Sequence, residues 1–219
     1  PWSSGYQWGM VRSVLPTVTK NLKLSTKAMN TILQTPEEIR QHIWKELGRA
    51  THDRHHSWRT PVLATATDDG YVNARTVVLR RVDALDQVLE IYTDHRSSKV
   101  AELTAQPLAY LVFWSPRLHW QLRVRAKWSV HTTGADVASR WQAVRQTRSA
   151  GDYMSNIPPG ASLPEDGSGA QGDAFTRNID ENYFAILQAH VVEIDWLELG
   201  RQQHRRAKLI GETWQWLNP

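Results

Sequence analysis

The sequence predicts a mainly β protein in which an antiparallel barrel carries a few peripheral α-helices. Apolar and polar residues alternate over at least six segments, as they do in half-buried strands. Turn residues separate most of these segments, and only two or three stretches have helical spacing. Strands that follow one another through short turns pair antiparallel, and closure into a barrel protects their edges. The 219 residues suffice for one domain with an extension.

The first 34 residues differ in composition from the rest of the chain. They contain four Lys or Arg and no Asp or Glu, and their apolar residues follow no clear period. We expect residues 1–34 to be a poorly ordered extension and residues 35–219 to form the domain. A transit peptide and translated upstream sequence remain alternative interpretations of the extension.

The domain is predicted to begin with an amphipathic helix. Thr35 is a suitable N-cap, and Glu38, three residues later, completes a capping box. The apolar residues that follow share one helical face: Ile39, Ile43 and Leu47.

A hairpin and a series of strands come next. Asp69-Gly70 tolerates the positive φ of a tight turn between two alternating segments. Further strands are predicted at 87–94, 108–114 (a buried strand), 119–131 and 183–199, a closing hairpin at 204–218, and helices at 95–106 and 135–149. Residues 150–173 form a long loop rich in Gly, Pro and Ser, and loops of that length are usually functional or disordered.

Composition excludes several classes of protein. The absence of cysteine excludes disulfides, thiolate metal sites and cysteine nucleophiles. No apolar run approaches the roughly 20 residues that span a bilayer, so we expect a cytoplasmic protein without a membrane partner. His52, His55 and His56 lie close in sequence, but with Asp53 as the only nearby carboxylate a surface turn is favoured, and no metal is predicted.

Nucleic-acid binding is a remote alternative. The strand at 119–131 carries Arg123, Arg125 and Lys127 on one face, but its tryptophans, Trp120 and Trp128, lie on the other. Stacking and charge therefore do not share a surface, and the net charge of +4 is mild. We expect no nucleic-acid partner.

Arginines interrupt an apolar strand at residues 74–83. Arg75 and Arg80 are separated by an odd number of residues, which places them on opposite faces of a regular strand. Buried arginine is costly unless it meets an anion such as phosphate or carboxylate. The alternative is that the arginines extend to solvent or to Asp83 and Asp86.

The next strand leads into a helix through residues suited to phosphate binding. Hydroxyl groups, cations and free N–H groups are expected at the helix N-terminus, from Thr93, Arg96, Ser97, Ser98 and Lys99. Ordinary capping by Asp94 or Ser97 is the alternative.

Four segments together resemble the pyridoxamine 5′-phosphate oxidase family of FMN-binding split barrels. They are RTVVLR at 75–80, YTDHRSSK at 92–99, QLRV at 121–124 and DWLELGRQQHRRAKL at 195–209. The resemblance is closest to a less characterised branch of that family. It implies an antiparallel split β-barrel and an FMN-dependent oxidoreductase related to vitamin B6 metabolism.

The resemblance also implies a cofactor site. Contacts to FMN would come from Arg75, Val77, Val78, Leu79, Arg80, Tyr92, Thr93, Ser97, Ser98, Lys99, Gln121, Trp196 and Arg206. Arg75 and the turn at 97–99 would serve the phosphate and ribityl chain. Trp196 and Arg206 would reach a flavin bound mainly by the other subunit, so a homodimer is implied.

Substrate contacts implied by the resemblance are Arg80, Trp141, Arg145, Ser149 and His204. Trp141 replaces a tyrosine of the family pattern, and Gln202 replaces an arginine. The expected activity is oxidation of a small phosphorylated amine or alcohol, such as pyridoxamine or pyridoxine 5′-phosphate, with dioxygen as acceptor. The alternative is a flavin reductase or a redox-responsive module without B6 oxidase activity. No catalytic residue is predicted.

Overall fold

The computed structural model describes residues 35–163, 182–201 and 203–219. The predicted extension at 1–34, Gln202 and the second part of the predicted loop lie outside these residues. In the part that is described, no helix combines the length and the apolar character needed to cross a bilayer.

Nine strands and three α-helices build the described domain, with two 3-10 helices at Ser57–Arg59 and Arg148–Tyr153. The strands are β1 Val62–Ala66, β2 Val72–Thr76, β3 Leu79–Asp83, β4 Val88–Asp94, β5 Leu108–Ser115, β6 Trp120–His131, β7 Phe184–Glu198, β8 Arg205–Ile210 and β9 Thr213–Leu217. The α-helices are α1 Pro36–His52, α2 Ser98–Ala105 and α3 Ala135–Val144.

The strands form one antiparallel sheet whose order is β2-β1-β5-β6-β7-β4-β3. Strand β7 has 15 residues and pairs with β6 along most of its length. On its other side, its first half pairs with β4 and its second half with β8, which in turn pairs with β9. This mainly antiparallel β architecture with a few helices confirms the predicted fold class.

Helix α1 begins as predicted. The Glu38 backbone N–H donates to Thr35 Oγ1 at 3.2 Å, and Glu38 Oε2 accepts from the Thr35 backbone N–H at 3.1 Å. The three apolar residues of its predicted face are fully buried, which fixes the helix against the sheet.

The prediction of one strand over residues 74–83 is wrong. Strand β2 ends at Thr76 and β3 begins at Leu79, and the two pair with different neighbours, β1 and β4. Between them the Val77 N–H donates to the Pro61 carbonyl at 2.9 Å. Alternation cannot be counted across this break, so the predicted opposite faces of Arg75 and Arg80 do not follow from it.

Two other elements also differ from the predictions. Strand β5 is not buried on both faces, because Leu108, Tyr110 and Trp114 point outward and are 42–46% exposed. The helix predicted at 135–149 ends at Val144, where Thr147 Oγ1 donates to the Val144 carbonyl at 2.7 Å and turns the chain. The first residues of the predicted loop then belong to the 3-10 helix.

Candidate functional site

A cavity of about 260 Å³ lies where β3, β4, the N-terminus of α2 and the segment after α3 meet. It is lined by Thr76, Val77, Val78, Arg80, Ile91, Tyr92, Thr93, Asp94, Lys99, Asp152, Tyr153 and Pro159. The break between β2 and β3 matters here, because it places Val77 and Val78 along one wall.

The cavity brings together six of the residues predicted to contact FMN: Val77, Val78, Arg80, Tyr92, Thr93 and Lys99. These residues come from the arginine segment and from the turn into α2. The structure therefore places the two sequence features that predicted a phosphate site at one cavity.

Lys99 is one of two cations at this cavity. Its Nζ donates to Thr93 Oγ1 at 3.1 Å, and it forms no ion pair with any residue in the described ranges. Burial lowers the pKa of Lys99, as does the charge of Arg75, while Asp94 and Glu102 oppose the shift. An anion bound beside this ammonium would replace the solvent that it has lost.

Arg80 is the second cation, and it too has no ion pair among the residues that the structure describes. Its Nε is buried without a hydrogen-bond acceptor. Its charge faces the hydroxyls of Tyr92 and Tyr153, whose pKa values burial raises, that of Tyr92 to about 12. Both tyrosines therefore remain protonated at neutral pH and can donate hydrogen bonds.

The turn into α2 is ordered by its own hydroxyl groups. Ser97 is buried, and its Oγ donates to the Asp94 carbonyl at 2.8 Å and lies 3.2 Å from Thr93 Oγ1. Ser98 is exposed. The first N–H groups of a helix lack partners within it, so this end of α2 offers donors to an anion.

Arg75 does not line the cavity. Its guanidinium donates to Thr65 Oγ1 and, at 2.7 Å, to Glu102 Oε2, and Asn73 also donates to Glu102 at 2.8 Å. Burial alone would raise the pKa of Glu102, but these hydrogen bonds lower it overall. A contact from Arg75 to the FMN phosphate stays a prediction, and Leu79, fully buried in the core, does not line the cavity either.

Trp196 and Arg206, which were predicted to contact one flavin, lie on opposite faces of the sheet. Trp196 is fully buried, with its ring centroid 5.3 Å from that of Trp120. Arg206 lies on the opposite face, where its Nη2 donates to Asp195 Oδ2 at 2.8 Å. The indole therefore lies in the interior of this chain, and a contact from both residues to one flavin stays a prediction. Gln121 lies on the outer face with Arg206.

None of the predicted substrate residues other than Arg80 lines the cavity. Trp141 packs in an aromatic cluster, 5.7 Å between centroids from Phe184. Arg145 contacts Gln142 on the surface, and His204 is exposed. Ser149 is half-buried in the 3-10 helix after α3. The predicted substrate-phosphate set is therefore not assembled at the cavity within this chain.

The sequence prediction missed six cavity residues: Thr76, Ile91, Asp94, Asp152, Tyr153 and Pro159. The last three belong to the predicted loop at 150–173. The sequence offered one signal for this segment, an aromatic residue, Tyr153, within a Gly- and Pro-rich stretch. The sequence of a loop does not show which part of the folded protein the loop packs against.

A second cavity, of about 460 Å³, is a poorer match for a phosphate. Four carboxylates line it, from Asp83, Asp86, Glu90 and Asp136. Their negative charge disfavours an anion, so the smaller cavity with Lys99 and Arg80 is the better candidate.

The smaller cavity fits FMN in its chemistry. A flavin mononucleotide carries a phosphate and a flat, largely apolar ring system, and Val77, Val78 and Ile91 supply apolar wall beside the two cations. The buried, unpaired Arg80 Nε and the half-buried Lys99 side chain are the structural observations that call for an anion.

Comparison with protein families gives a match for residues 41–132 to the model described as "Pyridoxamine 5'-phosphate oxidase, FMN-binding domain". Among curated proteins, the pyridoxine/pyridoxamine 5′-phosphate oxidase of Chromohalobacter salexigens is 39% identical over 83 residues, which are 38% of this chain and 37% of that protein. The oxidase of Azorhizobium caulinodans is 46% identical over 63 residues, 29% of each chain. These matches span less than half the length of either relative.

Two solved structures have the same fold. An FMN-binding protein from Nostoc punctiforme, described as related to pyridoxamine 5′-phosphate oxidase, gives a TM-score of 0.64 at 21% identity and covers 86% of this chain and 100% of its own. PhzG from Burkholderia lata, solved with tetrahydrophenazine-1-carboxylic acid, gives 0.64 at 18% identity and covers 86% and 98%. The cofactor predicted from the sequence, FMN, is the one that the matching domain binds. Residues 41–132 of this chain therefore match the FMN-binding domain of the pyridoxamine 5′-phosphate oxidase family.

Proposed function

We propose that the protein is an FMN-dependent oxidoreductase whose cofactor site is the cavity between β3, β4 and α2. The observation that carries this proposal is the pair of cations, Lys99 and Arg80, neither of which has a carboxylate partner among the described residues. A protein does not usually bury such groups unless an anion joins them.

Each wall of the cavity has a role in this proposal. Lys99, with Thr93 and the N-terminus of α2, binds the phosphate. Val77 and Val78 pack against the ring system and exclude water from it. Tyr92 and Tyr153 keep their protons and donate hydrogen bonds into the cavity. Bound FMN supplies a two-electron acceptor, and dioxygen is the proposed terminal acceptor.

We propose as substrate a small phosphorylated amine or alcohol, with pyridoxamine or pyridoxine 5′-phosphate as the first candidate. Arg80 is the cavity cation that would remain for the substrate anion once Lys99 binds the cofactor. Anaerobic addition of pyridoxamine 5′-phosphate to the FMN-loaded protein should bleach the flavin absorbance. Absorbance that stays unchanged would exclude the B6 substrate and leave the cofactor proposal standing.

A homodimer is the proposed assembly. The outer face of β5 exposes Leu108, Tyr110 and Trp114 beside a row of ion pairs on β6, β7 and β8. Exposed apolar side chains on a flat sheet face are typical of a protein interface. The same ion pairs, Arg123 with Asp195 and Arg125 with Glu193, neutralise the basic face of β6 and weaken the nucleic-acid alternative.

A flavin reductase or redox-responsive module is the second candidate function. This candidate is favoured because Trp141, Arg145 and Ser149 do not line the cavity. For either candidate, a cytoplasmic location remains a prediction. Rapid reduction of bound FMN by a reduced nicotinamide, with none by phosphorylated amines, would support this candidate over the oxidase.

A further inference from the structure

The segment after α3 forms a wall of the candidate site that the family resemblance did not assign. Asp152, Tyr153 and Pro159 face the cavity from this segment, opposite the residues of β3 and β4. Tyr153 is buried, and its ring lies 5.2 Å from that of Phe184 at the start of β7. A wall made by an irregular segment needs something to hold it in place.

Arg96 makes the contacts that hold this segment. Its Nη2 donates to Asp94 Oδ2 at 2.6 Å and to the Ser155 carbonyl at 2.7 Å. Its guanidinium lies over the Tyr183 ring, 3.2 Å from the centroid. One side chain in the turn between β4 and α2 thus contacts the wall segment and the residue that precedes β7.

Backbone hydrogen bonds complete the same connection. The Tyr183 N–H donates to the Tyr153 carbonyl at 2.8 Å, and the His95 N–H donates to the Tyr183 carbonyl at 2.8 Å. Tyr153, Tyr183 and the turn at His95 are therefore joined in series, and Arg96 contacts Tyr183 and, two residues after Tyr153, the carbonyl of Ser155.

Arg96 also determines the charge of the cavity wall. Asp94 lines the cavity and is 4% exposed, so its carboxylate would repel an anion bound at Lys99. Arg96 neutralises it through a bidentate ion pair, with Nε 3.0 Å from Oδ1. Removal of the guanidinium would leave a buried, uncompensated negative charge beside the proposed phosphate position.

We propose that Arg96 is a positioning residue with two effects: it holds residues 152–159 as a wall of the cavity, and it cancels the charge of Asp94 next to the proposed cofactor phosphate. The first effect depends on the fork of the guanidinium, which reaches a carboxylate and a carbonyl together. The second depends only on positive charge. The identity of the bound cofactor rests on the proposed function, whereas the order of the segment does not.

Arginine-to-lysine substitution separates the two effects. Arg96→Ala should raise amide hydrogen exchange in peptides covering 152–159 without changing that of α1, and should weaken FMN binding by about tenfold or more. Arg96→Lys should raise exchange in the same peptides while keeping FMN affinity within about threefold of wild type, because it retains the charge. Arg54→Ala, an exposed arginine outside the site, is the control and should change neither quantity.

Exchange is measured on the cofactor-free protein, so its result stands even if FMN does not bind. Unchanged exchange in 152–159 of either folded variant would overturn the proposal, and a thermal melt establishes which variants fold. Should Arg96→Ala fail to fold, Arg96→Lys decides the question. If the wild-type protein does not bind FMN, the proposed function is wrong. The hydrogen-exchange result then tests the positioning role of Arg96 by itself.

Discussion

At the scale of single residues, the cavity carries two cations without a carboxylate partner among the described residues. Lys99 and Arg80 lie at one cavity, whereas Arg75, Arg96, Arg123 and Arg206 each have a carboxylate. Ion pairs stabilise buried charge only when both partners are present. Lys99 and Arg80 line one cavity without such a partner among the described residues, and we propose that a ligand supplies the anion there.

Replacement of Lys99 tests this directly. Lys99→Met keeps most of the apolar stem and removes the ammonium, so FMN affinity should fall by about tenfold or more, as expected for loss of a charge-assisted contact. A fluorescence titration of the cofactor-free protein measures the change. Lys127→Met, on the exposed part of β6, is the matched control and should bind FMN as wild type does. If the two variants bind FMN with equal affinity, Lys99 does not contact the cofactor.

Arg75 has a structural role that can be separated from any cofactor role. Arg75→Ala leaves Glu102 buried with only Thr65 and Asn73 as partners, so the free energy of unfolding should fall by about 1–3 kcal/mol. Adding Glu102→Gln should restore part of this loss, because the unpaired charge is then gone. Chemical denaturation measures both variants.

The same double variant decides whether Arg75 also meets the phosphate. A loss of FMN affinity that persists in Arg75→Ala/Glu102→Gln would confirm the predicted contact. Recovery of affinity together with stability would show that Arg75 acts only through Glu102.

The sequence predicted which segments come together at the cavity better than it predicted the face of the sheet on which each side chain lies. Thr93 and Lys99, which the structure places at one cavity, could be predicted to lie together because both are local to a strand-to-helix turn. The positions of Arg75 and Trp196 could not, since each depends on which face of the folded sheet the strand presents. Asp152 and Tyr153 lay in a loop whose path is fixed by distant contacts such as that from Arg96.

At the scale of elements, a buried carboxylate fastens α1 to the sheet. Glu46 is 2% exposed and contacts His56, whose Nε2 lies 3.0 Å from its Oε2, and Arg117 in the turn between β5 and β6. Burial alone would raise the pKa of Glu46, but the hydrogen bond from His56 and the charges of Arg117 and Arg49 lower it overall.

The lowered pKa predicts the direction of a pH effect. A carboxyl whose pKa is lower in the folded state contributes stability above its ordinary pKa of 4.5 and loses it as pH falls through the folded value. Unfolding free energy should therefore decrease below about pH 4.5, and Glu46→Gln should flatten this acid dependence. Glu212→Gln, at an exposed side chain, should leave the profile unchanged. A profile of Glu46→Gln that matches wild type would contradict the assigned role.

Local signals explain which elements could be predicted. The capping box and the apolar face of α1 lie within about four turns of helix, so the sequence alone was sufficient to predict this helix. The break between β2 and β3 was not predicted because both halves have strand composition, and only their pairing with β1 and β4 separates them.

At the scale of the whole molecule, β7 pairs with β6 on one side and with β4 and β8 on the other. In the part of the chain that is described, the outer face of β5 is exposed, and we propose that a second copy covers it. Tyr110→Asp should convert the proposed homodimer into a monomer, since a carboxylate at an apolar interface loses its hydration without gaining a partner. Sedimentation velocity measures the change. Leu85→Asp, at a side chain that is 95% exposed in a turn, is the control and should remain dimeric. A wild-type protein that sediments as a monomer would exclude the dimer.

The central claim is that the cavity beside Lys99 and Arg80 binds FMN. Isothermal titration of the cofactor-free protein with FMN tests it most directly. We predict saturable binding of one FMN per chain, with a dissociation constant of about 1 μM or lower, and a clear loss of affinity in Lys99→Met. Absence of binding in the folded wild-type protein, or full affinity in Lys99→Met, would contradict the claim.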